Sequence, residues 1–158
     1  PNVTVRANVW SGNIKGEIAI TEINNLHDVN KISSIDEYVT TPTHMALEYS
    51  AKMLKEVKTE RKLLILITDG IPNYYKNNVH MGMELTKKIC KRSFYKTSSI
   101  TPNISCICVS DSMELGTKIM NEIFGSKNVI TVKNMNNASS EVVKQFKNYI
   151  QYHTSNLF

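Results

Sequence analysis

The sequence predicts an α/β domain in which parallel strands are joined by helical crossovers into a three-layer sandwich. Three observations lead there. Five consecutive aliphatic residues, Leu63-Leu64-Ile65-Leu66-Ile67, run into Thr68-Asp69-Gly70 and then a Pro72-Asn73 turn. Such a run reads as a strand buried on both faces, with an acid at its carboxyl end. From residue 43 onward the patterns alternate as helix, strand, helix, strand, helix, strand, helix. Ahead of them stands a β-rich hairpin pattern, which supplies one antiparallel edge strand to a mostly parallel sheet. The 158 residues contain no internal repeat and suit a single domain over 1–158.

Each element has its own signal. Residues 3–10 alternate, 11–16 are turn material, and 17–23 alternate again with enough polar residues for a sheet edge. Residues 24–41 are polar and irregular. Thr41-Pro42-Thr43 opens a helix, with Thr41 placed to cap it and Pro42 in its first turn. Leu47, Ala51 and Leu54 then recur at helical spacing. The buried strand covers 62–68, and a polar loop with Pro72, Asn73, Asn77 and Asn78 covers 69–80. A helix over roughly 80–96 carries Met83, Leu85, Ile89, Cys90 and Phe94 as its apolar positions. Residues 104–109 form a second buried strand, ending in a helix-capping Ser110-Asp111-Ser112. A helix with Ile119, Met120, Ile123 and Phe124 follows, then a short strand over 128–132. Asn136-Asn137 introduces a last helix with Val142, Phe146, Tyr149 and Ile150 on one face.

Bulk composition narrows the function classes. Hydrophobic residues make up 41% and charged residues 21%, an ordinary globular balance. No apolar run approaches the ~20 residues that span a bilayer, so no membrane association is expected. The N-terminus has no signal-peptide architecture, and Pro1 stands where an initiator Met would be, which predicts a piece of a longer protein. The net charge of +5 comes from dispersed residues, Lys52, Lys55 and Lys58 on one helix and Lys87, Lys88, Lys91 and Arg92 on another. These read as solvated helix faces, and nucleic acid is not expected as a partner. Three cysteines, Cys90, Cys106 and Cys108, lack framework spacing and read as reduced core residues in a cytoplasmic protein.

Chemistry concentrates at one rim. In open α/β sheets ligands bind just outside the carboxyl ends of the strands, which is where Asp69 falls. A threonine hydroxyl at the helix start and a carboxylate at the next strand's end would share that rim. Hard oxygen donors of this kind suit Mg²⁺ or Mn²⁺.

These residues carry a resemblance. Thr41-Pro42-Thr43-His44-Met45-Ala46-Leu47, the run from Leu63 to Gly70, and Asn128-Val129-Ile130-Thr131-Val132 before the last helix resemble a von Willebrand factor type A (VWA) domain, a three-layer Rossmann-like sandwich. The chain is most similar to the intracellular group with the cobaltochelatase T subunit and nitric oxide reductase activation proteins. The resemblance covers most of the chain from about Val3, in the family's element order. It implies a metal-ion-dependent adhesion site with Thr41 and Asp69 as ligands to Mg²⁺ or Mn²⁺, completed by a carboxylate from a protein partner. It also implies recognition rather than catalysis: no enzyme, but an accessory module working with an AAA+ ATPase or chelatase-type machine.

One departure is large. The family's first strand and its Asp-x-Ser-x-Ser motif are missing; the nearest text, Ser110-Asp111-Ser112-Met113-Glu114, comes too late and lacks the spacing. The chain therefore reads as an N-terminally truncated member, with a divergent member that lacks the strand and motif as the alternative. Metal binding is expected in the full-length protein and is expected to be weak or absent in this fragment. The absent strand would lie between the strands at 3–10 and 62–68, leaving two rows of backbone groups unpaired. The expectation is dimerisation, strand swapping or direct pairing of those two strands.

Other candidates cluster on the same rim. Thr43 and Asp111 are placed there, Asp111 also as a helix cap. His44 is expected on the helix surface, with a place behind the metal rim as the alternative. Tyr74 and Tyr75 are candidate partner-recognition residues, because aromatic side chains are enriched in interface hot spots; packing back on the loop is their other reading. Two further functions stand as alternatives: a metal-dependent hydrolase using Asp69 and Asp111, and a basic nucleic-acid-binding domain. No nucleophile–base pair, Walker phosphate loop or Gly-x-Gly-x-x-Gly accompanies either.

Overall fold

The computed structural model of the chain describes residues 4–23, 28, 40–58, 62–68, 71–76, 78–94, 103–109 and 113–155. Five strands and four α-helices occur among them, in the order β1 (Ala7–Gly12), β2 (Ile18–Ile23), α1 (Thr43–Glu56), β3 (Leu63–Thr68), α2 (Val79–Ser93), β4 (Asn103–Val109), α3 (Met113–Phe124), β5 (Val129–Val132) and α4 (Met135–Ser155). The alternating pattern read from residue 43 onward is thus present element by element. No helix among the described residues is long and apolar enough to cross a membrane.

The strands form two sheets. β3, β4 and β5 make a parallel sheet in that order, with Leu66 opposite Cys106 and Cys106 opposite Val129. β1 and β2 pair antiparallel in a sheet of their own, with Trp10 opposite Ile20. This corrects the expectation of one sheet with an antiparallel edge strand: β1 bonds to β2 and not to β3 among the described residues. Direct pairing of β1 with β3 is likewise not what the chain does there.

Side-chain alternation along β3 and β4 divides the apolar residues between two clusters. Leu66, Ile104, Cys106 and Cys108 join Leu47 and Ala51 of α1, Ile89 and Cys90 of α2, and Ile119, Met120, Ile123 and Phe124 of α3. Ile107 and Val109 join Ala138 of α4, with Ile65, Ile67, Val132 and Val142 packed beside them. Leu47, Met120 and Phe124 are essentially inaccessible to water, and each such side chain contributes about 1.5–3 kcal/mol by leaving it. Trp10 packs against the larger cluster, so the hairpin shares the main core although it shares no hydrogen-bond ladder with β3.

Several local expectations shift. Pro42 rather than Thr41 is the N-cap residue of α1, and no side chain caps that helix. Asn78 caps α2, its Oδ1 accepting from the Met81 N–H at 2.9 Å. Asn134 does the same before α4 by accepting from Asn137 N–H at 3.0 Å, so Asn134 rather than the Asn136-Asn137 pair sets the helix start. Phe146 lies 36% exposed on α4, while Ala138 and Val142 reach the core. The expected cap at Ser110-Asp111-Ser112 lies outside the described residues.

Candidate functional site

The rim at the carboxyl end of β3 is assembled from four segments. The end of β1 bridges to the residue before the α1 entry: Gly12 N–H donates to Thr40 C=O at 3.1 Å, and Thr40 N–H donates to Gly12 C=O at 2.9 Å. Glycine is required at this contact, because a Cβ on Gly12 would stand 2.6 Å from Thr40 Oγ1 and 2.7 Å from Pro42 Cγ. The entry of α1 is then clamped to the loop after β3. Thr41 N–H donates to Asn73 Oδ1 at 2.6 Å, and Asn73 N–H donates to Thr41 C=O at 3.1 Å. The first turn of α2 closes on the same loop. A Cβ on Gly82 would meet the Asn73 Cα at 2.5 Å and the Pro72 carbonyl carbon at 2.7 Å. Gly82 thus lets the helix backbone approach the rim loop directly.

Within this frame Thr41 is half-buried, and its described hydrogen bonds use only its backbone. Thr43 is fully buried, its hydroxyl 3.4 Å from the Thr41 carbonyl. His44 is buried rather than on the helix surface, at 8% exposure. Its ring meets that of Tyr74 edge-on, centroids 4.6 Å apart and planes at 78°. The reason is the short loop: Tyr74 folds back over the α1 entry, so the helix face that carries His44 is covered. Burial holds the His44 imidazole below its ordinary pKa, opposed by Glu48 one turn along α1. Its Nδ1 is buried with no hydrogen-bond partner among the described residues. Asp69 and Asp111 lie outside the described residues.

The two tyrosines separate. Tyr74 is half-buried and engaged with His44, whereas Tyr75 is 46% exposed. Tyr75 and Lys76 both adopt positive φ, 33° and 52°, inside a turn closed by an isolated bridge between Tyr74 and Asn78. Non-glycine residues in this left-handed region carry a cost of roughly 1–2 kcal/mol each. The Lys76 ammonium sits 5.4 Å from the Tyr75 ring centroid, within cation–π range. Lys76 N–H also donates to Ile14 C=O at 3.1 Å, tying the hairpin turn to the same loop.

Among the described residues no group of three His, Cys, Asp or Glu side chains could hold a metal ion. Thr41 is a hard oxygen donor of the right kind for Mg²⁺, but one such group falls short of a cage. Two grooves among the described residues lie away from this rim. One groove, at the opposite end of the strands, is lined by Leu63, Ile104, Asn128 and Tyr149; another lies between α2 and α3 beside Lys87, Lys91 and Glu122. On the expected basic face of α2, Lys87 pairs with Glu84 and Glu122, and Arg92 with Glu48 of α1.

Compared with protein-family models, curated proteins and solved structures, the chain matches none. Its reading therefore rests on its own residues. Sequence reasoning singled out Thr41 and the β3 end but missed Asn73 as the residue that ties the α1 entry to the loop after β3. The only signal was its place in the Pro72-Asn73 turn, and turn residues reveal local backbone shape, not distant partners.

Proposed function

We propose that the chain is a VWA-type protein-interaction module, a three-layer sandwich whose rim at Thr41, the loop after β3 and the start of α2 recognises a protein partner. The observation that supports this best is the reciprocal pairing of Thr41 with Asn73, which joins the α1 entry to the loop that follows Asp69. In this reading the Thr41 hydroxyl and the Asp69 carboxylate hold Mg²⁺ or Mn²⁺, and a carboxylate of the partner completes the coordination. The bound ion would supply positive charge for that carboxylate; Thr43, His44 and Asp111 shape its surroundings, and the exposed Tyr75 adds an aromatic contact. Two ligand side chains without a second acid hold a hard cation weakly, so partner binding and metal binding support each other. The module acts without catalysis of its own, beside an AAA+ ATPase or chelatase-type machine. Its three buried cysteines, none of them in a disulfide, fit a reducing cytoplasm.

Mn²⁺ titration followed by electron paramagnetic resonance tests the metal site. Weak binding is expected in the unsubstituted chain, reduced in Thr41→Val and lost in Asp69→Ala. Equal binding by the chain and Asp69→Ala would overturn the assignment.

A further inference from the structure

The hairpin turn between β1 and β2 and the loop after β3 are locked to each other. Lys76 N–H donates to Ile14 C=O at 3.1 Å. A Cβ on Gly16, itself at φ 84°, would stand 2.9 Å from the Tyr74 hydroxyl, so the hairpin backbone lies directly against that side chain. Each turn is also braced from within. Asn13 Oδ1 accepts from the Lys15 and Glu17 N–H groups at 3.0 and 3.1 Å, and Asn13 C=O accepts from Thr40 Oγ1 at 3.1 Å. Asn78 N–H donates to Tyr74 C=O at 2.8 Å and closes the other turn.

This braced corner holds apolar side chains in water. Ile14 is 54% exposed in the hairpin turn, Tyr75 is exposed in the loop, and Val79 is exposed where α2 begins. Tyr75 and Lys76 also take positive φ, a conformation that turns ordinarily give to Gly or Asn. Two bulky side chains kept at strained positions in one exposed turn point to a surface held for binding rather than for folding.

Charge identifies what it binds. The Lys76 ammonium lies over the Tyr75 ring, and Lys15 follows Ile14. Neither lysine forms an ion pair among the described residues, in contrast to Lys87 and Arg92 of α2. Residues 71–76 and 78–83 contain no acid, and the carboxylate of the hairpin turn, Glu17, accepts from the Asn13 carboxamide at 2.6 Å. Two lysines are few for an anionic membrane, which is recognised by clusters of roughly four to eight. Nucleic acid likewise calls for a stripe of cations. An exposed aliphatic and an aromatic side chain flanked by a cation instead suit the side chains of a polypeptide.

We propose that Ile14, Tyr75 and Lys76 form a docking surface for a short acidic–apolar segment of a protein partner. An aliphatic or aromatic side chain of the segment packs against Ile14 and Tyr75, and a neighbouring Asp or Glu pairs with Lys76. Both turns are fixed before binding, so little ordering entropy is lost there. The inference rests on the reading of this rim as a protein-recognition surface, and it does not use the rim metal.

An NMR titration with short synthetic peptides tests it. One peptide alternates Leu and Phe with Asp and Glu, a second has Lys in place of the acids, and a third has Ser in place of Leu and Phe. The first should shift the Ile14, Lys15, Tyr75 and Val79 amides, and each control should bind about tenfold more weakly or less. Tyr75→Asn and Lys76→Gly place residues that positive φ accepts. Each should weaken the first peptide about tenfold or more, with the urea midpoint unchanged or raised. Binding should be the same in EDTA and in Mn²⁺, so a failure of the metal site and a failure of this surface are read separately. Equal binding of either control, full binding by both variants, shifts confined to other residues, or no binding of any peptide would overturn the surface. Loss of binding in EDTA would assign the peptide to the metal rim and overturn a separate surface. A response of the same amides to phosphatidylserine vesicles and not to the peptides would assign the corner to a membrane and overturn a polypeptide partner.

Discussion

Asn73 and Thr41 hold each other by two hydrogen bonds across 32 residues of chain, the carboxamide oxygen taking the Thr41 N–H at 2.6 Å and the Asn73 N–H reaching the Thr41 carbonyl at 3.1 Å. Pro42 is the N-cap of α1 and no side chain caps that helix, so this pair fixes the chain just ahead of the helix entry rather than meeting the helix's own first N–H groups. Asn73→Ala should destabilise the chain by roughly 1–2 kcal/mol, measured as a shift in the urea midpoint. Asn73→Asp keeps the acceptor oxygen and should lose much less. Equal losses in the two variants would show that the side-chain bond to Thr41 is not what holds the entry.

Gly82 bears on the same loop from the other side. Its missing Cβ leaves the Pro72 and Asn73 backbone room to approach α2, with gaps of 2.5 to 2.7 Å that backbone cannot yield. Alanine usually favours a helix, but Gly82→Ala should here destabilise by about 1–3 kcal/mol through overpacking. It should also shift the Thr41 and Asn73 amide resonances. A rise in Tm with unmoved resonances would contradict the contact.

His44 links stability to pH. Its pKa is lowered by burial, with Glu48 opposing, so the folded chain prefers the neutral ring. Between that lowered value and the ordinary one of about 6.5, the unfolded chain binds more protons than the folded one. Stability therefore rises with pH through this window and is lost progressively as pH falls below about 6.5. His44→Phe, which preserves an aromatic edge against Tyr74, should flatten that slope in urea midpoints measured from pH 5 to pH 7.5. An unchanged slope would remove His44 as its source.

Cys90, Cys106 and Cys108 are buried and form no disulfide. Burial pushes the Cys106 thiol far up, with Cys108 and Cys90 adding to it, and the thiolate is the reactive form. The native chain should resist alkylation by iodoacetamide at pH 8, and all the thiols should react once urea unfolds it. Rapid native labelling of Cys106, read by mass spectrometry, would show the strand to be accessible.

Much of this architecture is legible in the residues alone. The Leu63–Ile67 run, the Cys106 and Cys108 alternation and the Leu47-Ala51 spacing encode burial, and burial repeats at the period of each element. That is why the strands and helices after residue 43 fall where their patterns place them. The helix start near Thr41-Pro42-Thr43 was legible too, although Pro42 and not Thr41 is the N-cap residue. Tertiary structure alone decided how the pieces meet. Sequence periodicity carries no register between strands distant in the chain, so nothing in residues 7–12 could say that, among the described residues, β1 would ladder with β2 rather than with β3 or that Gly12 would bridge to Thr40. Nor could an asparagine in a turn announce a partner 32 residues earlier, because hydrogen bonds between distant segments are chosen by packing. His44 shows the same limit: its surface reading followed from helix position, and its burial came from Tyr74 folding back over it.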